Sequence, residues 1–289
     1  MTSSPAIPES FHSGTPGAAD RIAIINVTGT ISPPFTERWI RQIDQAARDE
    51  SVRGVLLAVD SPGGLVADSH QIYRRIQKLA EVKPVHVAMK RLAASGGYYI
   101  SMGIGPSGRI YVEPTTWTGS IGVILPRYNA TELATSLGVS IEPLQTGPYK
   151  DTLNPFRDMR DDERVLWDTI LQDAFQRFVT VITENRSQLE EEGVRQLATG
   201  QIYTATQAVE NHLADKFGYS EDAIHDMATD LQMTDYEVFE YRSTPGLIDS
   251  LLGNHQQTPT WQEQIMEASI PRAMYYCSWN PWVPTVSPR

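Results

Sequence analysis

Two hydrophobic rhythms alternate along the first half of this chain. Arg21 to Val27 (Arg-Ile-Ala-Ile-Ile-Asn-Val) and Gly54 to Val59 (Gly-Val-Leu-Leu-Ala-Val) are short, almost wholly apolar and partly β-branched, as strands covered on both faces are. Between them Thr36 to Glu50 carries Trp39, Ile40, Ile43 and Ala46 at helical spacing, which predicts a strand–helix–strand unit. The alternation continues with a helix over about Ala67 to Ala80, a strand at Val85 to Met89 behind Pro84 and a strand at Arg109 to Val112. It predicts an α/β fold with a mainly parallel sheet flanked by helices.

Further on, a strand is expected at Val139 to Leu144, and a long amphipathic helix from Asp161 to about Arg186 carries Leu166, Ile170, Ala174, Phe178 and Ile182 along one face. Its acidic start suits the positive end of the helix dipole. Shorter helices over Glu190 to Ala198, Ala205 to His212 and Glu221 to Leu231 precede a strand around Tyr236 to Tyr241. These organise the chain as an arm over 1–20, one domain over 21–245 and an aperiodic extension over 246–289. The arm, rich in Ser, Pro, Gly and Ala and without a basic start or an apolar core, reads as disordered and not as a signal peptide.

Composition narrows the function classes. The formal charge of −11, from 24 basic and 35 acidic residues, argues against nucleic acid as a partner. The single cysteine, Cys277, rules out an intrachain disulfide and a cysteine-rich zinc site, and no metal or other cofactor is expected. No apolar run approaches the roughly 18 to 20 residues that span a bilayer. The expectation is a cytoplasmic protein, or one attached peripherally to a membrane.

The candidate chemistry centres on Ala93-Ala94-Ser95-Gly96-Gly97-Tyr98-Tyr99, which sets one hydroxyl among small residues at a strand-to-helix turn. Small neighbours leave room for a substrate carbonyl, but a hydroxyl needs a base before it is a nucleophile at neutral pH. Asp60-Ser61-Pro62-Gly63-Gly64 follows the apolar strand 54–59, at the strand end where open α/β sheets bind ligands. Its glycine amides are candidate partners for a developing negative charge. Thr118-Gly119-Ser120-Ile121-Gly122-Val123 is a third turn of small residues, whose serine could direct an amine.

Two kinds of base remain open. His70, on the helix after the Gly63-Gly64 turn, is the best-placed histidine, whereas His86 alternates with valines in a strand and reads as structural. Lys150, in the turn Thr146-Gly147-Pro148-Tyr149-Lys150-Asp151, is the alternative. An amine acts as a base only when neutral, so its pKa must fall from about 10.4 to about 7 to 8, which burial among apolar groups can achieve.

Taken together, Asp60–Gly64, Ala93–Ile100, Thr118–Val123, Gly147–Asp151 and Gly200-Gln201-Ile202-Tyr203-Thr204 resemble, in order and spacing, the signal peptide peptidase A (protease IV, S49) family of serine peptidases. The resemblance spans roughly residues 21–245. It implies a crotonase/Clp-protease-like fold with additional C-terminal helices. It also implies a Ser-Lys dyad: Ser95 as nucleophile, Lys150 as general base, Ser120 orienting the lysine, and the amides of Gly64 and Gly96 as the oxyanion hole. Extended, apolar peptides such as signal-peptide remnants are the implied substrates. The implied assembly is a homo-oligomeric ring whose sites take serine and lysine from adjacent subunits. Ile270 to Tyr276 resembles the end of such chains and is expected on the ring or near the groove. Lys90-Arg91-Leu92 is bulkier than the family pattern just before the serine, so subsite preference is expected to differ.

Two other functions compete with this reading. An acyl-CoA hydratase or isomerase on the related fold would use the same pair of amides for an enolate, with acidic residues nearby and no catalytic lysine. A non-catalytic ring would bind peptides without cleaving them.

Overall fold

The computed structural model describes residues 7–105, 107–140, 142–242 and 274–277. Its frame is a mostly parallel sheet built from β1 (Glu9–Gly14), β2 (Arg21–Thr28), β3 (Val52–Ser61), β5 (Val85–Ala94), β6 (Ile110–Val112), β7 (Trp117–Gly119), β8 (Ile202–Thr204), β9 (Lys216–Phe217) and β10 (Glu237–Tyr241). Strands β10, β2, β3, β5, β6 and β9 run parallel in that order, β1 closes one edge antiparallel to β10, and β7 branches from β5 to pair antiparallel with β8. A separate two-stranded ribbon joins β4 (Gly63–Leu65) to β11 (Met274–Tyr276).

The central strands are buried on both faces, as their unbroken apolar runs require. Successive side chains point to opposite sides, so Ala23, Ile25 and Val27 with Val55, Leu57 and Val59 face one helical layer. Ile22 and Ile24 with Leu56 and Ala58 face the other. The first layer comprises α1 (Phe35–Arg48), α2 (Val66–Ala80), α3 (Gly96–Ser101), α5 (Asp161–Asn185), α6 (Glu191–Leu197) and α7 (Ala205–Glu210), all of which contribute buried side chains to one core. The second is α8 (Ser220–Asp230), through Ala223, Ile224, Met227 and Ala228. In α1 the buried positions Trp39, Ile43 and Ala46 keep helical spacing, and the Trp39 indole N–H donates to the Asn26 carbonyl at 2.9 Å.

The fold is thus the α/β, mainly parallel class that the pattern predicts, with three departures. First, part of the expected disordered arm is ordered: Glu9–Gly14 forms β1 on the open edge of β10, where its backbone groups find partners that composition alone does not reveal. Second, no described residue of the expected strand Val139 to Leu144 is in a strand; Val139 and Leu144 are exposed, and the preceding Thr131–Ser136 is a short helix, α4. An isolated apolar run becomes a strand only where a sheet edge receives it. Third, the apolar face of α5 is buried only in its C-terminal half, at Phe178, Val179, Val181 and Ile182, while Leu166 and Ile170 stay exposed.

Candidate active site

Ser95 occupies the single residue between β5 and α3, with φ 54° and ψ −113°. A serine at positive φ is a costly backbone choice, of about 1 to 3 kcal/mol, and such outliers collect at functional sites. The turn is held from three sides. Ser95 N–H donates to the Gly119 carbonyl at 2.7 Å, Tyr99 N–H donates to the Ser95 carbonyl at 2.8 Å, and Thr118 Oγ1 donates to the Ala93 carbonyl at 2.6 Å. The hydroxyl itself is buried and has no hydrogen-bond partner among the described residues. A buried polar atom left open within a rigid frame is available to a ligand.

The Asp60–Gly64 turn stands directly beside it. Gly63 has φ +95°, a conformation glycine adopts without strain. Ser61 shapes the turn: its hydroxyl donates to the Gly29 carbonyl at 2.6 Å and accepts from Gly63 N–H at 3.1 Å. A Cβ added to Gly96 would lie 3.1 Å from Gly64 N and 2.6 Å from Ser69 Oγ, and one added to Gly63 would lie 2.6 Å from Gly96 N. The backbone nitrogens of Gly64 and Gly96 therefore lie close together beside the Ser95 turn. Ser61 lies inside the glycine motif, whereas Ser69, whose buried hydroxyl has no hydrogen-bond partner among the described residues, lies beside Gly96 and is marked by nothing local in the sequence.

Ser120 lies one residue beyond β7, at φ 49° and mostly buried, with its N–H donated to the Gln201 carbonyl at 2.7 Å. Because β7 pairs with β5 in the register Ala94 to Gly119, Ser120 follows its strand as Ser95 follows its own, and the two turns are neighbours. A cleft of about 310 Å³ opens beside Ser120, lined by Gly122, Val123, Ile124, Gly200, Tyr276 and Cys277. A larger one of about 360 Å³, bordered by Ser101, Met102, Arg186 and Asp215, includes none of these serines and glycines.

Lys150 makes no hydrogen bond to the Ser95 hydroxyl. It is exposed on a turn, its N–H donating to the Gly147 carbonyl at 3.2 Å, and no side-chain hydrogen bond joins it to Ser95 or Ser120. That turn is nevertheless anchored. Arg157 donates from Nε to Asp151 Oδ2 and from Nη1 to Glu163 Oε2, both at 2.9 Å, and Arg160 Nη2 reaches the Pro148 carbonyl at 2.8 Å. The Arg157 hydrogen bonds hold the Asp151 and Glu163 carboxyls below their ordinary pKa values.

The histidines serve other ends. His70 Nδ1 lies 2.8 Å from the Tyr99 hydroxyl, and burial lowers its pKa. His86 is buried against Tyr111, takes the Arg109 N–H at 3.3 Å, and has its pKa lowered by burial first. Among the described residues no cluster of His, Cys, Asp and Glu could hold a metal, and no helix is long and apolar enough to cross a membrane.

The family model of peptidase family S49 matches residues 77–234, and that of Clp protease matches residues 16–118. A putative signal peptide peptidase SppA of Enterococcus faecium is 36% identical over 256 residues, covering 83% of this chain and 73% of that protein. A putative protease of Synechocystis is 33% identical over 247 residues, covering 85% of this chain and 87% of that one. Protease 4 of Salmonella typhi is 29% identical over 212 residues, which cover 73% of this chain but 34% of the longer protein. On sequence and on fold, the chain belongs to peptidase family S49, and it is a serine peptidase of Clp-protease-like architecture.

Proposed function

We propose that this chain is an endopeptidase that cleaves extended peptides with Ser95 as nucleophile and Lys150 as general base. Ser95 Oγ attacks the scissile carbonyl carbon and gives its proton to neutral Lys150 Nζ, while the amides of Gly64 and Gly96 take the charge that develops on oxygen. Lys150 then passes the proton to the leaving amine, and water hydrolyses the acyl-enzyme with the same base. Ser120 orients the lysine. The observation that carries this reading is the buried, unpartnered Ser95 hydroxyl beside the closely placed backbone nitrogens of Gly64 and Gly96. Apolar peptides of the signal-peptide kind are the substrates the reading favours, in keeping with the name of the Enterococcus relative.

The working form in this proposal is a ring in which the lysine comes from a neighbouring copy. The exposure of Lys150 supports this, as does the open cleft beside Ser120. So do Tyr128, Leu133, Leu137, Val139 and Leu144, which leave large apolar surface uncovered on the segment leading to Lys150. Residues 21–245 form the peptidase unit, and 246–289 are an extension to it.

Ser95→Ala and Lys150→Ala should each abolish peptide hydrolysis while the oligomer persists. Co-expressed together, they should regain about a quarter of the wild-type sites, because random pairing joins an intact serine to a neighbour's intact lysine at that frequency. An inert mixture of well-assembled subunits would place both groups in one chain, and an active Lys150→Ala enzyme would remove lysine as the base.

A further inference from the structure

Ser69 is a second buried hydroxyl at the nucleophile turn, and the peptidase reading leaves it unused. It lies in the first turn of α2, is wholly buried, and its Oγ has no hydrogen-bond partner among the described residues. A helical serine can satisfy itself on the carbonyl three or four positions back, and a buried polar group left without a partner weakens the fold. Three other buried hydroxyls around the turn are satisfied by backbone carbonyls. Ser61 donates to Gly29 at 2.6 Å, Ser101 to Gly97 at 2.8 Å and Thr118 to Ala93 at 2.6 Å. Ser69, like Ser95, spends its hydrogen on none.

The hydroxyl stands against the glycine turns. A Cβ built on Gly96 would lie 2.6 Å from Ser69 Oγ, 3.0 Å from Gly63 Cα and 3.1 Å from Gly64 N. Ser69 thus borders Gly96, whose amide is one proposed oxyanion donor, on the side where the nitrogen of the other donor also lies. A donor that is unpaired at rest is free for charge that exists only during the reaction. When an attacked carbonyl becomes tetrahedral, its oxygen gains negative charge and leaves the plane it held. A hydroxyl that binds this oxyanion and not the planar carbonyl lowers the barrier without tightening substrate binding. Ser69 Oγ meets that condition: it takes no partner although the Tyr275 carbonyl oxygen stands 2.1 Å from a Cβ built on Gly63.

We propose that Ser69 is a third oxyanion donor, its hydroxyl joining the amides of Gly64 and Gly96 once the tetrahedral intermediate forms. The inference rests on the peptidase reading above. Ser95 Oγ bonds to the carbonyl carbon and its proton goes to Lys150, while Ser69 keeps its own proton and shares it with the oxyanion in a hydrogen bond. That bond is released when the carbonyl re-forms and the carbon–nitrogen bond breaks.

The test compares the full-length wild type with Ser69→Ala and Ser69→Cys on casein, and on an internally quenched peptide copied from a casein bond that the wild type cuts. Ser69→Ala should lower kcat about tenfold to a hundredfold, the worth of a hydrogen bond to a charged group, with KM within about twofold. A peptide boronate with the same acyl-side residues, whose adduct with Ser95 carries the tetrahedral oxygen, should lose affinity by a similar factor. Ser69→Cys, close in size but a weak donor, should behave as Ser69→Ala does. Because the hydroxyl is unpaired at rest, Ser69→Ala should leave Tm unchanged or raise it. A kcat for Ser69→Ala within about twofold of wild type would overturn the role. So would a loss that Ser69→Cys restores or that accompanies a fall in Tm, because packing would then account for it. In those cases casein turnover that Ser95→Ala lacks would leave the peptidase reading intact; a wild type inert toward casein would overturn both.

Discussion

A single carbon at Gly63 should silence the enzyme while leaving it folded. The Cβ of Gly63→Ala would stand 2.6 Å from Gly96 N and 2.1 Å from the Tyr275 carbonyl oxygen, in the proposed oxyanion site. Both are backbone atoms held by neighbouring hydrogen bonds, so neither can move aside as a side chain would. One oxyanion donor is worth about 10² to 10³ in kcat; with both obstructed, kcat/KM should fall by at least about 10³. The accompanying strain is that of alanine at φ +95°, about 1 to 2 kcal/mol, which in a domain of this size lowers Tm by about 2 to 8 °C. Gly17→Ala separates the two effects, because Gly17 has φ +78° and nothing within 4 Å of its added Cβ. The assay pairs peptide hydrolysis with thermal unfolding monitored by circular dichroism. The reasoning fails if Gly63→Ala retains kcat/KM within about tenfold of wild type, or if Gly17→Ala loses as much activity as Gly63→Ala does.

Two further outcomes follow from groups outside the nucleophile turn. Arg157→Lys keeps the charge but not the planar fork that grips Asp151 and Glu163 together; kcat/KM should drop tenfold or more as the Lys150 turn loosens, with faster amide exchange over residues 148–163 and little change in Tm. Unchanged exchange there would mean that the turn is fixed by other contacts. Stability should also decline between pH 7 and pH 5, because the folded pKa of His86 is lowered and the unfolded chain takes up the proton first. That contribution is complete above the ordinary histidine value of about 6.5 and is lost as pH falls below it. The lowered carboxylates act only at more acidic pH, so a urea-denaturation series in this window should flatten in part for His86→Phe, with His70 supplying the rest. A slope unchanged by the substitution would remove His86 as its source.

Much of the frame was legible because its causes are local. The runs 21–27, 54–59 and 85–89 are apolar at the positions that a doubly covered parallel strand buries, His86 excepted, and Trp39, Ile43 and Ala46 meet one face through helical spacing alone. The Ser95 turn was visible for the same reason: small residues between a strand and a helix permit a positive φ and close backbone approach. Glu9–Gly14 and Val139 to Leu144 misled in opposite directions. Whether a weakly patterned stretch becomes a strand depends on a free sheet edge, and β10 offers one to the first. Among its described residues the second meets none, and Val139 and Leu144 remain exposed.

By itself, then, the sequence determined the α/β class, the succession of strands and helices along the first half and the identity of the small-residue turns, all consequences of side-chain periodicity and backbone permissiveness over a few residues. Only the tertiary structure decided that the Gly64 and Gly96 nitrogens lie close together, that the Ser61 hydroxyl shapes the turn before them, and that Tyr275 pairs with Gly64 from more than two hundred positions away. It also decided that Lys150 is exposed while the Ser95 hydroxyl is buried without a partner among the described residues. Such relations are set by strand register and by which edges remain unpaired, and those are properties of the assembled sheet, carried by no local stretch of residues.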